Sequence, residues 1–320
     1  MICSLQRILT QDPTKIPIKN CHEMVQDAQG RLILLTDHTK NNVLIYDRAG
    51  KVLNTWTLNY EGAHGLTLAT EGTDQFLFVT DSEMNKFCKT DLDGKVLFEK
   101  TYPKEISDYE RIAKERSAAS GNEVTPDSLF KPTETAIGPN GDIYVADGYG
   151  LDFIIQYDAK GNYIRHFAGK GDGETQLQNA HGVALDTRNP NNPTLLVTSR
   201  AKQEFKRFTL DGAYIETIKT PGCWICRPVI HGEELYFPVI VTKTWWGYDG
   251  LVLVMDKDNK VVSAPGGSEP IYKDGVLQEI EYDGLTLLNP HDVCIDDDKN
   301  IYVAQWYSGK TYPVKLERVG

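Results

Sequence analysis

The sequence predicts an all-β chain folded as a six-bladed β-propeller, with four-stranded antiparallel blades and an N-terminal strand that closes the last blade. Three observations carry this. A unit of about forty residues, the length of a propeller blade, recurs six times. Each copy holds four short runs of β-branched and aromatic residues separated by turn residues. The last copy stops after three such runs, while "CSLQRIL" near the N-terminus has no copy of its own.

The copies begin at His22, His64, Pro132, His181, Arg227 and His291. The hairpin between the last two strands carries Gly50, Gly94, Gly161, Gly212 and, in the weaker fifth copy, Asn259. These residues tolerate the positive φ of a tight hairpin. Pairing "CSLQRIL" with the incomplete sixth copy would remove two open sheet edges. One propeller domain over 1–320 is therefore expected, interrupted at about 104–125. There "SDYERIAKERSAAS" reads as a helix over Ser107 to Ser120, with Ser107 and Glu110 as a capping box. That helix reads equally as a decorative loop or as a lid.

Composition narrows the function. The net charge of −11 argues against nucleic acid or an anionic membrane as partner, since both need a basic face. No apolar run approaches the ~20 residues of a membrane span. The opening "MICSLQRILTQDPTK" has no charged segment followed by an apolar one. Six scattered cysteines suggest a reducing compartment, so a cytoplasmic location is expected. Cys223 and Cys226, in "CWIC", lack the partner pair of a zinc knuckle and read as reduced structural thiols.

The histidines carry the chemistry. In a propeller the start of each inner strand lies at one mouth of the central channel. The six positions there are His22, His64, Thr133, His181, Arg227 and His291. His64, His181 and His291 fall in alternate blades and would form a tripod, a common plan for catalytic zinc with an open fourth position. A single such histidine would more simply bond the next blade. His22 could be a fourth ligand, but is expected to be a polar lining residue. The ends of the second strands share this face and carry Asp37 with His38, Tyr149, Arg200 and Trp306. Tyr149 is a candidate proton donor or acceptor, and Arg200 a candidate carboxylate clamp. Trp245, in "WWGYD", could wall a pocket or pack the rim.

The repeats resemble NHL repeats, and the chain resembles the six-bladed catalytic core of peptidyl-α-hydroxyglycine α-amidating lyase. The likeness is sharpest over "KPTETAIGPNGDIYVADGYGLDFIIQYDAKGNYIRHFAGKG", "NAHGVALD", "SRAKQEFKRF" and "PHDVCIDDDKNIYVA". It implies zinc on His64, His181 and His291, a catalytic Tyr149 and a substrate-contacting Arg200. It also implies a structural calcium held by Asp292, with Leu66 and Met24. The family's second arginine is absent; the region reads "LLTDHTKNN", leaving His38 or Arg227 as substitutes. The family's cysteine after the tyrosine is Gly150 here. The implied reaction is zinc-assisted C–N or C–O cleavage at the hydroxylated carbon of a small anionic molecule. A calcium- or zinc-dependent hydrolase or lactonase, and a non-catalytic NHL-type scaffold, are the competing readings.

Overall fold

The computed structural model describes residues 2–9, 11–282 and 287–319. Five four-stranded antiparallel sheets and one five-stranded sheet make six blades that follow one another along the chain. Blade 1 is Cys21–Gln26, Leu32–Thr36, Val43–Tyr46 and Val52–Trp56. Blade 2 is Ala63–Glu71, Asp74–Asp81, Lys86–Asp91 and Val96–Lys100. Blade 3 is Glu134–Ile137, Ile143–Ala146, Phe153–Tyr157 and Tyr163–Ala168. Blade 4 is Val183–Asp186, Thr194–Ser199, Glu204–Phe208 and Tyr214–Lys219.

Blade 5 departs from the pattern. Its inner strand is split into Trp224–Ile225 and Val229–His231, both paired with Glu234–Val241; Leu251–Met255 and Val261–Ser263 complete the sheet. The break holds Cys226, Arg227 and Pro228, and Pro228 has no N–H to donate to a ladder. This split inner strand is what makes the fifth copy weak in sequence. Blade 6 is Pro290–Ile295, Ile301–Gln305 and Val314–Val319, completed by Ile2–Ile8, which pairs antiparallel with Val314–Val319. The ring is closed by the N-terminal strand, as the sequence implies.

Burial follows position in the blade. Second and third strands such as Leu32–Thr36 and Leu251–Met255 are buried along their whole length, because blades pack on both faces. Outer strands such as Val52–Trp56 are partly exposed. The core is therefore a set of layers between neighbouring blades. Leu35, Val43 and Ile45 of blade 1 pack on Leu66, Leu77 and Val79 of blade 2. Leu196 and Phe205 of blade 4 pack on Phe237 and Leu253 of blade 5. The hairpin residues behave as read: Gly50, Gly94, Gly161, Gly212 and Asn259 all have positive φ.

The insertion forms an α-helix over Ser107–Ser120. It has no capping box: Ile106 occupies the N-cap and no side chain caps it. Ile106 is buried with Tyr109 and Ala113 in the layer between blades 2 and 3, so packing sets the helix start. The helix is thus neither loose decoration nor lid. Tyr109 donates to Asp147 Oδ2 at 2.7 Å, and Asp147 also accepts from the N–H groups of Lys131 (2.6 Å) and Leu151 (2.7 Å). The helix braces the loop that carries Tyr149.

A buried ion cluster locks blade 4 to blade 5. Arg188 and Arg207 both bond Asp186, at 2.6 and 2.7 Å, and Arg188 reaches across to the Asp256 carbonyl and Asn259. Burial pushes the Asp186 carboxyl up, but its bonds to the two arginines outweigh this and hold it at about 2. A carboxyl depressed in the fold stabilises above its unfolded pKa of ~3.9, and that stability is lost as pH falls through ~2. Asp186→Asn should therefore lower unfolding free energy by about 1 kcal/mol at pH 7, once solvent screening of the pair is allowed for. The deficit should shrink between pH 4 and pH 2, as read by urea unfolding at each pH; a deficit independent of pH would refute the assignment.

Candidate metal centre at the channel mouth

Three of the inner strands bulge at their histidines. The ladder shifts register across His22, between Cys21 and Glu23; across His64 and Gly65, between Ala63 and Leu66; and across His291, between Pro290 and Asp292. A bulge re-aims one side chain out of the sheet's alternation. His181 lies two residues before its strand, after Asn179 in a left-handed conformation (φ 60°). Glycine follows His64 and His181 because the next blade is close. A Cβ on Gly65 would lie 2.5 Å from the Thr133 carbonyl oxygen, and one on Gly182 would lie 2.7 Å from Arg227 Cα.

Four imidazoles cluster as a result, all buried. Ring centroids lie 4.7 Å apart for His64–His181, and 4.8 Å for both His64–His291 and His181–His291. His22 joins them at 5.1 Å from His64 and 4.9 Å from His291. Ligand atoms of His22, His64 and His291 lie within 4.8 Å of one another. The expected trio is thus packed ring to ring, but the nitrogens that converge are those of His22, His64 and His291; sequence had His22 as a lining residue or a fourth ligand, and His181 in its place. The signal for His22 was present: it heads a repeat as the others do.

The hydrogen bonds suit metal ligands. His64 Nδ1 donates to the Thr133 carbonyl (2.8 Å) and His291 Nδ1 to the His22 carbonyl (3.0 Å), which turns each Nε2 lone pair inward. Neither nitrogen of His181, nor Nδ1 of His22, has a hydrogen-bond partner among the described residues. Burial holds His64, His181 and His291 well below the ordinary histidine range, reinforced by neighbouring imidazoles and Arg200. They are neutral at pH 7, as ligation requires. Leaving such buried atoms unpartnered costs about 1–3 kcal/mol each, so the group fits a soft divalent ion.

A cavity of about 490 Å³ opens over His22, His64 and His291, lined also by Tyr149, Arg200, Trp245 and Trp306; His181 lies beneath and does not line it. The Tyr149 ring faces the opening (39% exposed), while its hydroxyl lies 3.0 Å from His64 Nε2. Burial raises its pKa and the Arg200 charge opposes the rise. The flanking Gly150 is required by packing: a Cβ there would sit 2.3 Å from the Leu129 carbonyl oxygen, so the family's cysteine has no room. Arg200 is buried, and donates to the Ile225 carbonyl (3.1 Å) and Cys226 Sγ (3.0 Å). Cys223 and Cys226 are free, buried thiols.

Two expected site residues lie elsewhere. His38 accepts from the Lys40 N–H (3.3 Å) in its own turn and does not line the cavity. Arg227 does not line it either; it borders a second cavity of about 500 Å³ further along the channel. Here the expected calcium is also corrected. Asp292 and the carbonyls of Leu66 and Met24 do converge, but on the Arg227 guanidinium. Nε and Nη2 bond Asp292 (3.0 and 2.6 Å), Nη1 bonds Leu66 O (2.9 Å) and Nη2 bonds Met24 O (3.2 Å). Glu23 and Glu134 approach it at 3.4 and 3.6 Å. Glu23, Glu134 and Asp292 each follow the mouth position of their blade, a second ring that the repeat alignment could have shown. Burial holds Glu23 well above the carboxylate range, with Arg227 pulling against it.

No protein-family model and no curated protein matches the chain. Solved structures match its fold. A streptogramin B lyase is 15% identical over 98% of this chain and 97% of its own, with a TM-score of 0.62. Virginiamycin B lyase from Staphylococcus aureus is 13% identical over 99% of both chains (TM-score 0.59). A gluconolactonase from Xanthomonas campestris is 15% identical over 94% of this chain and 86% of its own (TM-score 0.58). The chain is a six-bladed propeller whose structural neighbours include lyases and a lactonase.

Arg227→Ala leaves three buried carboxyl groups and two carbonyls without a cation. Removing one partner of such a group costs about 3–5 kcal/mol. The thermal midpoint should fall, and millimolar calcium should restore part of the loss in the variant while leaving wild type unchanged. Calcium acting equally on both proteins would refute this role for Arg227.

Proposed function

We propose that the chain is a metal-dependent enzyme of the channel mouth that cleaves a C–N or C–O bond at a hydroxylated carbon of a small molecule. One observation carries this reading: both nitrogens of buried His181 lack partners beside two imidazoles whose Nε2 atoms are turned inward by carbonyls. A binding scaffold would have no reason to bury such groups without a protein partner. His64 and His291, with His181 and His22, would hold the ion; the all-nitrogen set favours zinc over calcium.

A bound zinc ion would supply Lewis acidity toward the substrate oxygen. The chain's own groups handle the proton. As the substrate hydroxyl becomes a carbonyl, the Tyr149 hydroxyl gives its proton to the departing nitrogen or oxygen and takes up the proton of the substrate hydroxyl, which restores the phenol. Arg200 sits beside this hydroxyl and lowers the cost of its ionised form. The Asp147 loop, braced by Tyr109, keeps Tyr149 in reach. A hydrolase or lactonase is the second reading, supported by the likeness to the gluconolactonase. The same proton transfer at Tyr149 would then activate water.

Purified wild type should bind about one zinc per chain after zinc is added back, by elemental analysis, and His291→Ala, which removes a nitrogen common to both sets of three, should lose it. Failure of wild type to take up any transition metal would overturn the proposal. Tyr149→Phe should keep the zinc and lose on the order of 10²-fold or more in kcat against a cleaved substrate; unchanged turnover would remove Tyr149 from the chemistry.

A further inference from the structure

The cavity over the histidines has two unlike halves. Trp224, Trp245, Trp306 and Ile240 form one. Trp224 and Trp245 meet edge to face with centroids 5.1 Å apart. Trp246 lies just outside and, like Trp306, packs on Tyr307 at 5.4 Å. Of the chain's five tryptophans, only Trp56 is absent from this sector. Trp245 keeps 38% of its surface open to the cavity mouth. A wall of open indoles continuous with a buried polar floor is a recognition surface for a flat apolar group.

The other half is a poor trap for an anion. Its ionisable lining is Lys19, Asp37, Glu61 and Glu83. Lys19 already pairs with Asp37 at 3.3 Å. Arg200, under the tryptophans, has donated to the Ile225 carbonyl and Cys226 Sγ, and its guanidinium lies 5.8 Å from the Trp245 ring centroid. Asp37, Glu61 and Glu83 face Lys19 and Arg200 around the cavity. Glu83 is paired with Lys131 at 3.5 Å, so a negatively charged substrate would meet Glu61 while Lys19 and Arg200 are already engaged.

We infer that the substrate is an uncharged molecule carrying an aromatic ring next to the reacting carbon, with the ring on Trp245 and Trp306 and the carbon's oxygen toward the histidines. This replaces the small anionic substrate that the sequence suggested. The placement of the reacting carbon rests on the cleavage reading above; recognition of the ring does not.

The test compares mandelamide, lactamide and mandelate by calorimetry, on protein prepared with and without added zinc, with zinc content measured on the same samples. Mandelamide and lactamide differ only by the phenyl ring, and mandelate adds the charge. Mandelamide should bind on the order of tenfold tighter than lactamide in wild type, the scale of one good aromatic contact. Mandelate should bind no tighter than mandelamide. Trp245→Ala and Trp306→Ala should cut the preference to about twofold or less, while Trp246→Ala, outside the cavity, should leave it intact. Equal binding of the two amides, including none detectable for either, overturns the inference, as does tightest binding of mandelate. A ring preference without zinc uptake leaves the inference standing and sinks the metal reading; zinc uptake without a ring preference does the reverse.

Discussion

The mouth of this propeller depends on one buried cation. Arg227 enters the channel from the break in the inner strand of blade 5. It bonds Asp292 of blade 6, the Met24 carbonyl of blade 1 and the Leu66 carbonyl of blade 2, and it approaches Glu23 and Glu134 of blades 1 and 3. Its Cα packs on Gly182 of blade 4. One side chain thus ties the inner edges of all six blades. Glu23 and Asp292 are the immediate neighbours of His22 and His291, so the same bonds fix the bulges that aim those histidines. A guanidinium suits this post because it is always charged and offers five donors in a rigid plane.

Charge separation along the channel follows. Acids and their arginine occupy one level, neutral imidazoles the next. Burial keeps His64, His181 and His291 unprotonated, while Arg200 and Tyr149 stand at the opening. Tyr149 is placed by long-range means: a helix inserted between blades 2 and 3 buries Tyr109, which bonds Asp147, which holds the loop. The insertion contributes no group to the cavity, yet the position of the candidate proton carrier depends on it.

The ring of blades was legible in sequence because each blade repeats the same local rules: four apolar runs, a hairpin glycine, a histidine at the inner strand's start. Closure was legible too, since an incomplete sixth copy and an unassigned N-terminal run match. Local rules failed where packing overrode them. Ser107 and Glu110 spell a capping box, but Ile106 is needed in the core and takes the cap position. Arg227 reads as a mouth residue by alignment, but the strand break at Pro228 turns it into the channel. The calcium implied by resemblance failed for the same reason, because a side chain from a distant blade already fills the oxygen cage. His22 was undervalued because alternate-blade symmetry picks three histidines, whereas bulge geometry brings in the fourth.

The central claim is that the clustered imidazoles hold a metal ion at the reacting end of the cavity. Anomalous diffraction from zinc-loaded crystals, collected on both sides of the zinc absorption edge, tests it directly. The account predicts one strong peak at the channel mouth, about 2.0–2.1 Å from the Nε2 atoms of His64 and His291, with His181 or His22 completing the set. A peak in the Arg227 cage, or zinc only at the surface while the four imidazoles stay apart, would contradict it.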